Sequence, residues 1–501
     1  MNLRRNIVAN YFSQAYVAGV GILTVPIYVH YLGTEAYGLI GFYTMLQAWF
    51  QLLDVGLSTT LARESSRYSA SGVGVQTLAR LRTVLERAFL GIAAIGVLIF
   101  ALCGDAITHH WLNVGALSSQ EVTRSVQLMG AVIAARWISC LYRGVVTGFE
   151  HQVWLGNFNV GVATARFVLC LPVILWLGAT PTVYFSYQAL VAVVEAWCLF
   201  RQANRLVPRQ AGSSPLSADL RTPLKFASGV AFTSVMWVLV TQADKLLLSK
   251  LLPLSVYGEF SLAVLLAGGI NLLAAPIGMA LLPRLTATSV AADEAALRTL
   301  YAKYTQITCL ATFPAAFTLF TCAEPVLLAW TGKAELAHSM GAVLGLYSLG
   351  NALMGLTAFG YYIQYAKGNI RLHLIGNAVF ASAYLPAVLF AVKSWGAAGA
   401  ATAWLIMNAV YLLCWLPLIH RALIPGTHRQ WMSRDVLPIA LAAGLPTLVA
   451  ALIPSSLTDN GRWQGALLSI AFFFCSLVCG SLASTVARAR LGRLFQRSAL
   501  V

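Results

Sequence analysis

The feature that most constrains this chain is a series of long apolar runs that follow one another from end to end. A helix that crosses a hydrocarbon core of about 30 Å needs roughly 20 apolar residues and satisfies its backbone polar groups internally. About fourteen runs of the sequence meet this requirement. With 59% hydrophobic and only 10% charged residues, the chain lacks the charged surface of a soluble domain. We therefore expect an all-α, polytopic membrane protein.

These runs define the expected membrane helices. Residues 1–5 and the apolar stretch after them look like the start of a secretory signal. The stretch is too long for one and has no small-residue cleavage site, so we expect a retained first helix. The predicted spans are 7–31, 36–59, 84–103, 123–142, 156–177, 182–200, 226–250, 256–282, 303–322, 340–364, 372–392, 398–420, 436–454 and 463–484.

The placement of lysine and arginine predicts the orientation of the helices, because positively charged loops stay in the cytoplasm. Most of the 33 Lys and Arg residues fall in segments on the same side as the N-terminus. Few fall in segments on the opposite side, namely Arg124, Lys250, Lys333, Lys393 and Arg462. Arg143 is assigned to a cytoplasmic segment. Both termini are therefore expected in the cytoplasm.

Composition and motifs exclude several classes of function. The net charge of +16 would indicate nucleic-acid binding in a soluble protein, but here the cations flank helices and face anionic lipid headgroups. Cys475 and Cys479 lie on one apolar face, and His109 and His110 lack further ligands, so no metal site or cofactor is expected. The sequence has no phosphate-binding glycine loop and no nucleophile elbow, and no outside segment is long enough for a catalytic domain. We expect no enzyme activity and no catalytic residues.

The chain contains a faint internal repeat. Tyr37-Gly38 at the start of the second predicted helix recurs as Tyr257-Gly258 at the start of the eighth. Leu155-Gly156-Asn157 in the fifth recurs as Ile375-Gly376-Asn377 in the eleventh, at the same offset of 220 residues. A shared offset that also superimposes blocks of six helices indicates that 7–200 is duplicated in 227–420. Duplicated halves are typical of transporters that alternate access around a central site.

The repeat predicts two lobes of six helices around a central cavity, with two extra helices at the C-terminal end. Because six is even, both lobes have the same orientation, and their symmetry axis lies along the membrane normal. The predicted divisions are an N-terminal lobe 1–200, a cytoplasmic linker 201–225, a C-terminal lobe 226–420, helices thirteen and fourteen in 421–484, and a basic cytoplasmic tail 485–501.

Four short passages carry a resemblance to a known family. They are Tyr31-Leu-Gly-Thr-Glu-Ala-Tyr-Gly38, Leu53-Asp-Val-Gly-Leu57 leading to Arg63, Tyr142-Arg-Gly144, and Gln242-Ala-Asp-Lys245. With them the chain resembles, over nearly its whole length, the polysaccharide transporters, or Wzx-type lipid-linked oligosaccharide flippases. These belong to the multidrug/oligosaccharidyl-lipid/polysaccharide (MOP) exporter superfamily.

The resemblance implies a V-shaped helical bundle in the bacterial inner membrane. Its cargo would be an undecaprenyl-diphosphate-linked oligosaccharide, moved to the periplasmic leaflet for O-antigen, capsule or exopolysaccharide synthesis. The implied partners are membrane lipids, a polysaccharide polymerase and chain-length or export proteins. Two alternatives of the same superfamily stay open, a lipid II flippase and a multidrug extruder.

Three basic residues within predicted helices are candidate ligands for such a diphosphate. A guanidinium matches phosphate oxygens in a bidentate way, and a lipid-facing charge at mid-membrane costs at least about 2.5–3.5 kcal/mol. Arg166 lies near the middle of helix five, where the alternative to a lumen role is an ion pair inside the lobe. Arg136 lies seven residues before Arg143, on the same helix face, and could instead extend to the cytoplasm. Lys245 is the third candidate.

Three carboxylates within predicted helices are candidates for binding a coupling proton or sodium ion, or for lining the lumen. Asp244 precedes Lys245, and adjacent helical residues point about 100° apart, so we expect that they do not neutralise each other. For Asp54 and Glu195 the alternative is an interfacial helix end. Possible sugar ligands, most of them expected to serve in helix packing, are Gln14, Tyr16, Tyr43, Gln47, Tyr184, Gln188, Tyr361 and Gln364.

Overall fold

A computed structural model describes residues 3–54, 56–71, 75–207, 221–450 and 462–489, and all regular structure in these ranges is helical. The chain forms two compact units, Met1–Gly258 and Glu259–Val501. The predicted linker and tail fall partly outside the described ranges, at 208–220 and 490–501. The division into six helices per lobe stays a prediction.

The first unit is built from long helices joined by short turns. A 3₁₀ turn (Gln51–Asp54) follows α1, and a π-helical turn (Thr164–Val168) links α5 to α6. The helices are α1 (Leu3–Phe50), α2 (Leu57–Ser71), α3 (Val75–His110), α4 (Ser119–Gly148), α5 (Gln152–Ala163), α6 (Cys170–Leu177), α7 (Pro181–Leu206) and α8 (Arg221–Leu251).

The helix α9 (Leu254–Val290) begins in the first unit and continues into the second. Two π-helical turns (Tyr411–Trp415 and Trp431–Val436) interrupt the later helices. These are α10 (Glu294–Thr321), α11 (Ala323–Thr331), α12 (Ala334–Ala366), α13 (Arg371–Val410), α14 (Leu416–Leu423), α15 (Thr427–Gln430), α16 (Leu437–Ala450) and α17 (Arg462–Ala483).

The membrane-length helices account for the predicted apolar runs. Ten described helical segments are long and apolar enough to cross a membrane, or 11 if α10 and α11, which meet at 84°, form one span. Two segments each contain two predicted runs, broken at Gly33 (φ +85°) and Gly396 (φ +56°). Glycine adopts a positive φ with little strain, so each of these glycines forms a non-helical kink at which one helix ends and the next begins. With α8, every predicted run lies on a helix, except that 451–454 are outside the described residues.

The predicted end of the second run, at residue 59, is wrong. The helix stops at Phe50, a 3₁₀ turn continues to Asp54, and α2 begins at Leu57. The reason is a local cap: the Ser58 backbone N–H and hydroxyl donate to Asp54 Oδ1 at 3.0 and 2.7 Å. Such a carboxylate satisfies the free donors of a new helix start and favours a break.

The repeated Tyr-Gly motif forms a close, reciprocal helix crossing. A Cβ built on Gly38 of α1 would overlap the Leu254 backbone oxygen, and one built on Gly258 of α9 would overlap the Thr34 backbone oxygen. Each glycine thus packs on the carbonyl four residues before the other. The two motif copies therefore serve one symmetrical contact, in which the missing side chain lets the backbones meet.

A second glycine pair joins α2 to α4. A Cβ built on Gly144 would lie 2.6 Å from the Ser58 backbone oxygen, and one built on Gly148 would overlap the Ala62 backbone oxygen. The spacing is the small-xxx-small pattern of membrane helix pairs. The Tyr142-Arg-Gly144 passage thus fixes the position of α4, which carries the candidate Arg136.

In the second unit, the helices after the repeat are held by buried polar contacts. The Gln306 amide of α10 donates to Asp435 Oδ1 at 2.6 Å and accepts from Ser484 Oγ at 2.8 Å. The Ser476 hydroxyl of α17 donates to the Ala443 oxygen of α16 at 2.5 Å. These contacts fix the two extra C-terminal helices on α10.

We expect Gly38→Ala to destabilise the protein by about 1–3 kcal/mol, because the added methyl meets a backbone oxygen that cannot move aside. The measurement is thermal unfolding of purified protein in detergent. Gly19→Ala, in the same helix, is the matched control, since a Cβ there has nothing within 4 Å. Equal stability of the two variants would contradict the crossing.

Candidate functional site

The candidate site lies in the first unit, between α4 and α7. Arg136 and Arg143 share one face of α4, as their seven-residue spacing predicts, and both reach Glu195 on α7. Arg143 Nη2 donates to Glu195 Oε1 at 2.6 Å, whereas Arg136 Nη2 is 3.8 Å from Glu195 Oε2. Glu195 thus holds one arginine tightly and the other loosely.

The other hydrogen bonds of the two arginines also differ, and those of Arg143 are again the shorter ones. Arg143 Nη1 also donates to Asn159 Oδ1 on α5, at 2.5 Å. Arg136 Nη1 is 3.4 Å from Gln47 Oε1 on α1, and its buried Nε has no hydrogen-bond partner among the described residues. Arg136 therefore keeps a donor free for a ligand, while Arg143 makes close hydrogen bonds through both of its Nη atoms.

Arg166 lies in the π-helical turn between α5 and α6, in the middle of the span Gln152–Leu177. Its Nε is 3.4 Å from Gln188 Oε1 on α7, and the Gln188 amide donates back to the Arg166 oxygen at 2.9 Å. Among the described residues no carboxylate lies within 4.0 Å of the guanidinium. Arg166 also lies within electrostatic range of Arg136 and Glu195.

Hydroxyl groups of neighbouring helices hold the π-helical turn in place. Tyr28 of α1 donates to the Phe167 oxygen at 2.7 Å, and Tyr187 of α7 donates to the Ala165 oxygen at 2.9 Å. These bonds satisfy carbonyl groups that a π-turn leaves without regular helical partners. The backbone that carries Arg166 is thereby fixed from two sides.

A small cavity of about 20 Å³, with room for about one water molecule, opens beside Arg136, and it is lined by residues of α1, α4 and the 3₁₀ turn. Several buried polar atoms of these helices and of α7 have no partner among the described residues, namely Tyr43 Oη, Trp49 Nε1, Arg136 Nε, Trp137 Nε1 and Glu195 Oε2. Buried polar groups of this kind normally have a partner, and water or a ligand is the usual one. The lining residues are Gln47, Phe50, Gln51, Ile133, Arg136, Trp137 and Cys140.

The remaining sequence candidates have other contacts. Lys245 and Asp244 form their own ion pair on α8, with Lys245 Nζ 3.2 Å from both carboxylate oxygens. The expectation that they do not neutralise each other was wrong, because the flexible lysine stem folds back across the 100° between them. Asp54, half-buried, caps α2, as its alternative interpretation predicts.

Two residues of this site were missed by the sequence reasoning. Arg143 was assigned to a cytoplasmic loop, but α4 continues to Gly148 and places its guanidinium on Glu195. The Tyr142-Arg-Gly144 passage was the signal, since an arginine beside a helix-packing glycine is held inside the bundle. Asn159 had no signal in the sequence. Gln47 and Gln188, two of the possible sugar ligands, contact Arg136 and Arg166.

We expect Arg143→Gln to destabilise the protein by about 1.5–3 kcal/mol, because Glu195 loses its close charged hydrogen bond and keeps only the 3.8 Å contact with Arg136. The double variant Arg143→Gln/Glu195→Gln removes both charges and should recover most of the loss. Thermal unfolding of the single and double variants measures both effects. A double variant as unstable as the sum of the single ones would exclude a direct pair.

Comparison with solved structures assigns the fold to a class of membrane transporters. The model is similar to the lipid II flippase MurJ in its inward closed conformation, with a TM-score of 0.73, 13% identity and 99% of both chains covered. It also resembles an inward-facing multidrug resistance MATE transporter of the MOP superfamily (TM-score 0.67, 13% identity, 81% of this chain and 94% of that chain). The MATE multidrug transporter DinF-BH is similar with a TM-score of 0.63 (13% identity, 85% and 96%).

A match of the sequence to a family model identifies the family. The family model described as polysaccharide biosynthesis protein matches residues 3–289, more than half of the chain. No curated relative matches it. The chain belongs to the polysaccharide biosynthesis protein family. Its fold is similar to that of MurJ and of the MATE transporters.

Proposed function

We propose that this protein flips an undecaprenyl-diphosphate-linked oligosaccharide across the bacterial inner membrane, for the synthesis of a surface or secreted polysaccharide. Membership in the polysaccharide biosynthesis protein family supports the pathway. The fold of a lipid II flippase and of multidrug transporters supports movement by alternating access. In this proposal both termini are cytoplasmic.

The observation that carries the proposal is the excess of cations in the arginine cluster, which we define as Arg136, Arg143, Arg166 and Glu195. Three guanidinium groups and one carboxylate leave two positive charges inside a membrane-spanning bundle. A diphosphate diester carries two negative charges, so it neutralises the cluster. Guanidinium groups also match phosphate oxygens in geometry.

The contacts that each arginine makes with protein atoms indicate its role in ligand binding. Arg136 and Arg166 bind the diphosphate, because their side-chain hydrogen bonds are long contacts to a glutamine. Arg136 adds only the loose Glu195 contact, and the Arg166 guanidinium lies over the Phe167 ring. Arg143 stays on Glu195 and Asn159 and serves to position them. Lys245 remains a candidate of lower rank, since Asp244 already pairs with it.

The transport cycle needs the polar head to pass while the lipid tail stays in the bilayer. Diphosphate and sugars cannot cross hydrocarbon without a polar path. The head enters from the cytoplasmic side, the arginines hold it, and the lobes then open to the periplasm. A membrane potential that is negative inside favours outward movement of the anionic head.

The alternatives differ in cargo charge or in sugars. A multidrug extruder for cationic drugs would place its cargo against repelling guanidinium groups, so the arginine cluster disfavours it. A lipid II flippase would carry the same undecaprenyl diphosphate with other sugars. Analysis of the lipid-linked sugars that accumulate without the protein separates this alternative from ours.

We expect the double variant Arg136→Gln/Arg166→Gln to lose transport by roughly 100-fold or more, because each charge-assisted contact contributes about 1.5–3 kcal/mol. The measurement is the leaflet distribution of lipid-linked repeat unit in a strain that depends on the plasmid-borne variant. The cytoplasmic leaflet should accumulate the full repeat unit, with loss of surface polysaccharide.

The matched control is Arg201→Gln, an exposed arginine of α7 whose guanidinium lies over the Trp197 ring. It should transport at the parent rate at equal expression. Full transport by the double variant would rule out the cationic diphosphate site, whatever the control shows.

A further inference from the structure

Glu195 contacts two arginines, one at a much shorter distance than the other. Its Oε1 accepts from Arg143 at 2.6 Å, whereas its Oε2, buried and 3.8 Å from Arg136 Nη2, accepts no hydrogen bond among the described residues. The side chain of Glu195 is only 6% exposed. A buried carboxylate oxygen without a donor costs free energy, so this half of the carboxylate is poised to change partner.

Arg136 shows the complementary feature. Its Nε has no partner among the described residues, its Nη1 contact to Gln47 is long at 3.4 Å, and it lines the small cavity described above. A ligand oxygen in the cavity can therefore approach Arg136. It would compete with Glu195 Oε2 for one guanidinium while the Arg143–Glu195 bond stays intact.

We propose that Glu195 is a resident counter-ion, which partly neutralises Arg136 in the unloaded carrier and is displaced from it by the anionic head of the cargo. The inference rests on the proposed function and adds a residue that sets affinity and selectivity. Arg143 and Asn159 anchor Glu195, so that its carboxylate competes with the ligand without leaving the site.

The competition between Glu195 and the anionic head for Arg136 has two consequences. Bound anion and Glu195 repel each other, so the carboxylate weakens binding and speeds release into the opposite leaflet. A monophosphate, with fewer oxygens to engage both Arg136 and Arg166, gains less against this repulsion than a diphosphate. Glu195 therefore discriminates in favour of the doubly bridged headgroup.

The test is a binding titration of the full-length protein in nanodiscs with farnesyl diphosphate and farnesyl monophosphate as probes. Glu195→Gln should bind the diphosphate about tenfold more tightly than the parent, because the competing charge is gone, and should discriminate less against the monophosphate. Transport in cells should fall as release slows. Glu195→Asp, which keeps the charge, should retain parent affinity.

The variant Arg143→Gln should change the affinity for the diphosphate in the opposite direction. With its anchor removed, Glu195 moves fully onto Arg136, and affinity for the diphosphate should fall by about tenfold, although Arg143 itself is not a proposed ligand. Should Glu195→Gln not fold alone, the double variant Arg143→Gln/Glu195→Gln lacks the whole pair and should again bind tightly. Unfolding temperatures are measured in parallel.

The matched control is Glu86→Gln, which makes the same change in the other buried Arg–Glu pair of this unit, Arg82–Glu86 at 2.9 Å. It should leave diphosphate affinity unchanged. If Glu195→Gln and the double variant, both folded, bind the diphosphate no more tightly than the parent, the counter-ion role is wrong. If the parent itself does not bind the diphosphate, the proposed function fails instead.

Discussion

A positive charge inside a membrane-spanning bundle has to be compensated by protein atoms, and this requirement shapes the first unit. Arg143 and Arg136 lie on α4, and their compensation comes from α7 through Glu195. Arg166 depends on Gln188 of the same helix. Because α7 contacts every arginine of the cluster, the register of α4 and α5 against it is fixed by polar contacts that lipid cannot replace.

Glycine packing sets where these helices can run. The pair Gly144 and Gly148 lets α2 approach α4 at backbone distance, and Gly38 and Gly258 do the same for α1 and α9. Glu35, in the passage that includes Gly38, accepts backbone N–H bonds from Gly115, Ala116 and Leu117. These motif residues thus have structural roles, and the chemistry lies in residues beside them, such as Arg143.

Hydropathy predicted the helices well because the bilayer imposes one length on all of them. It could not predict the break before α2, since Asp54 acts through a local hydrogen bond with Ser58 inside an apolar stretch. It placed Arg166 at mid-helix correctly, and seven-residue spacing put Arg136 and Arg143 on one face. The partner of that face, Glu195, lies 52 residues further along the chain from Arg143, and no local pattern encodes such a pairing.

The predicted duplication aligns the arginines of the first unit with apolar residues of the second. At the repeat offset of 220 residues, Arg136 and Arg143 correspond to Leu356 and Ile363, which are fully buried in the core cluster of the second unit. The same helix face thus packs against apolar neighbours on α12 and carries guanidinium groups on α4. A helix whose glycines already fix its position can exchange apolar core contacts for charges, provided that a neighbour supplies a carboxylate. Glu195 meets that condition on α7, and at its own repeat position the second unit has Trp415.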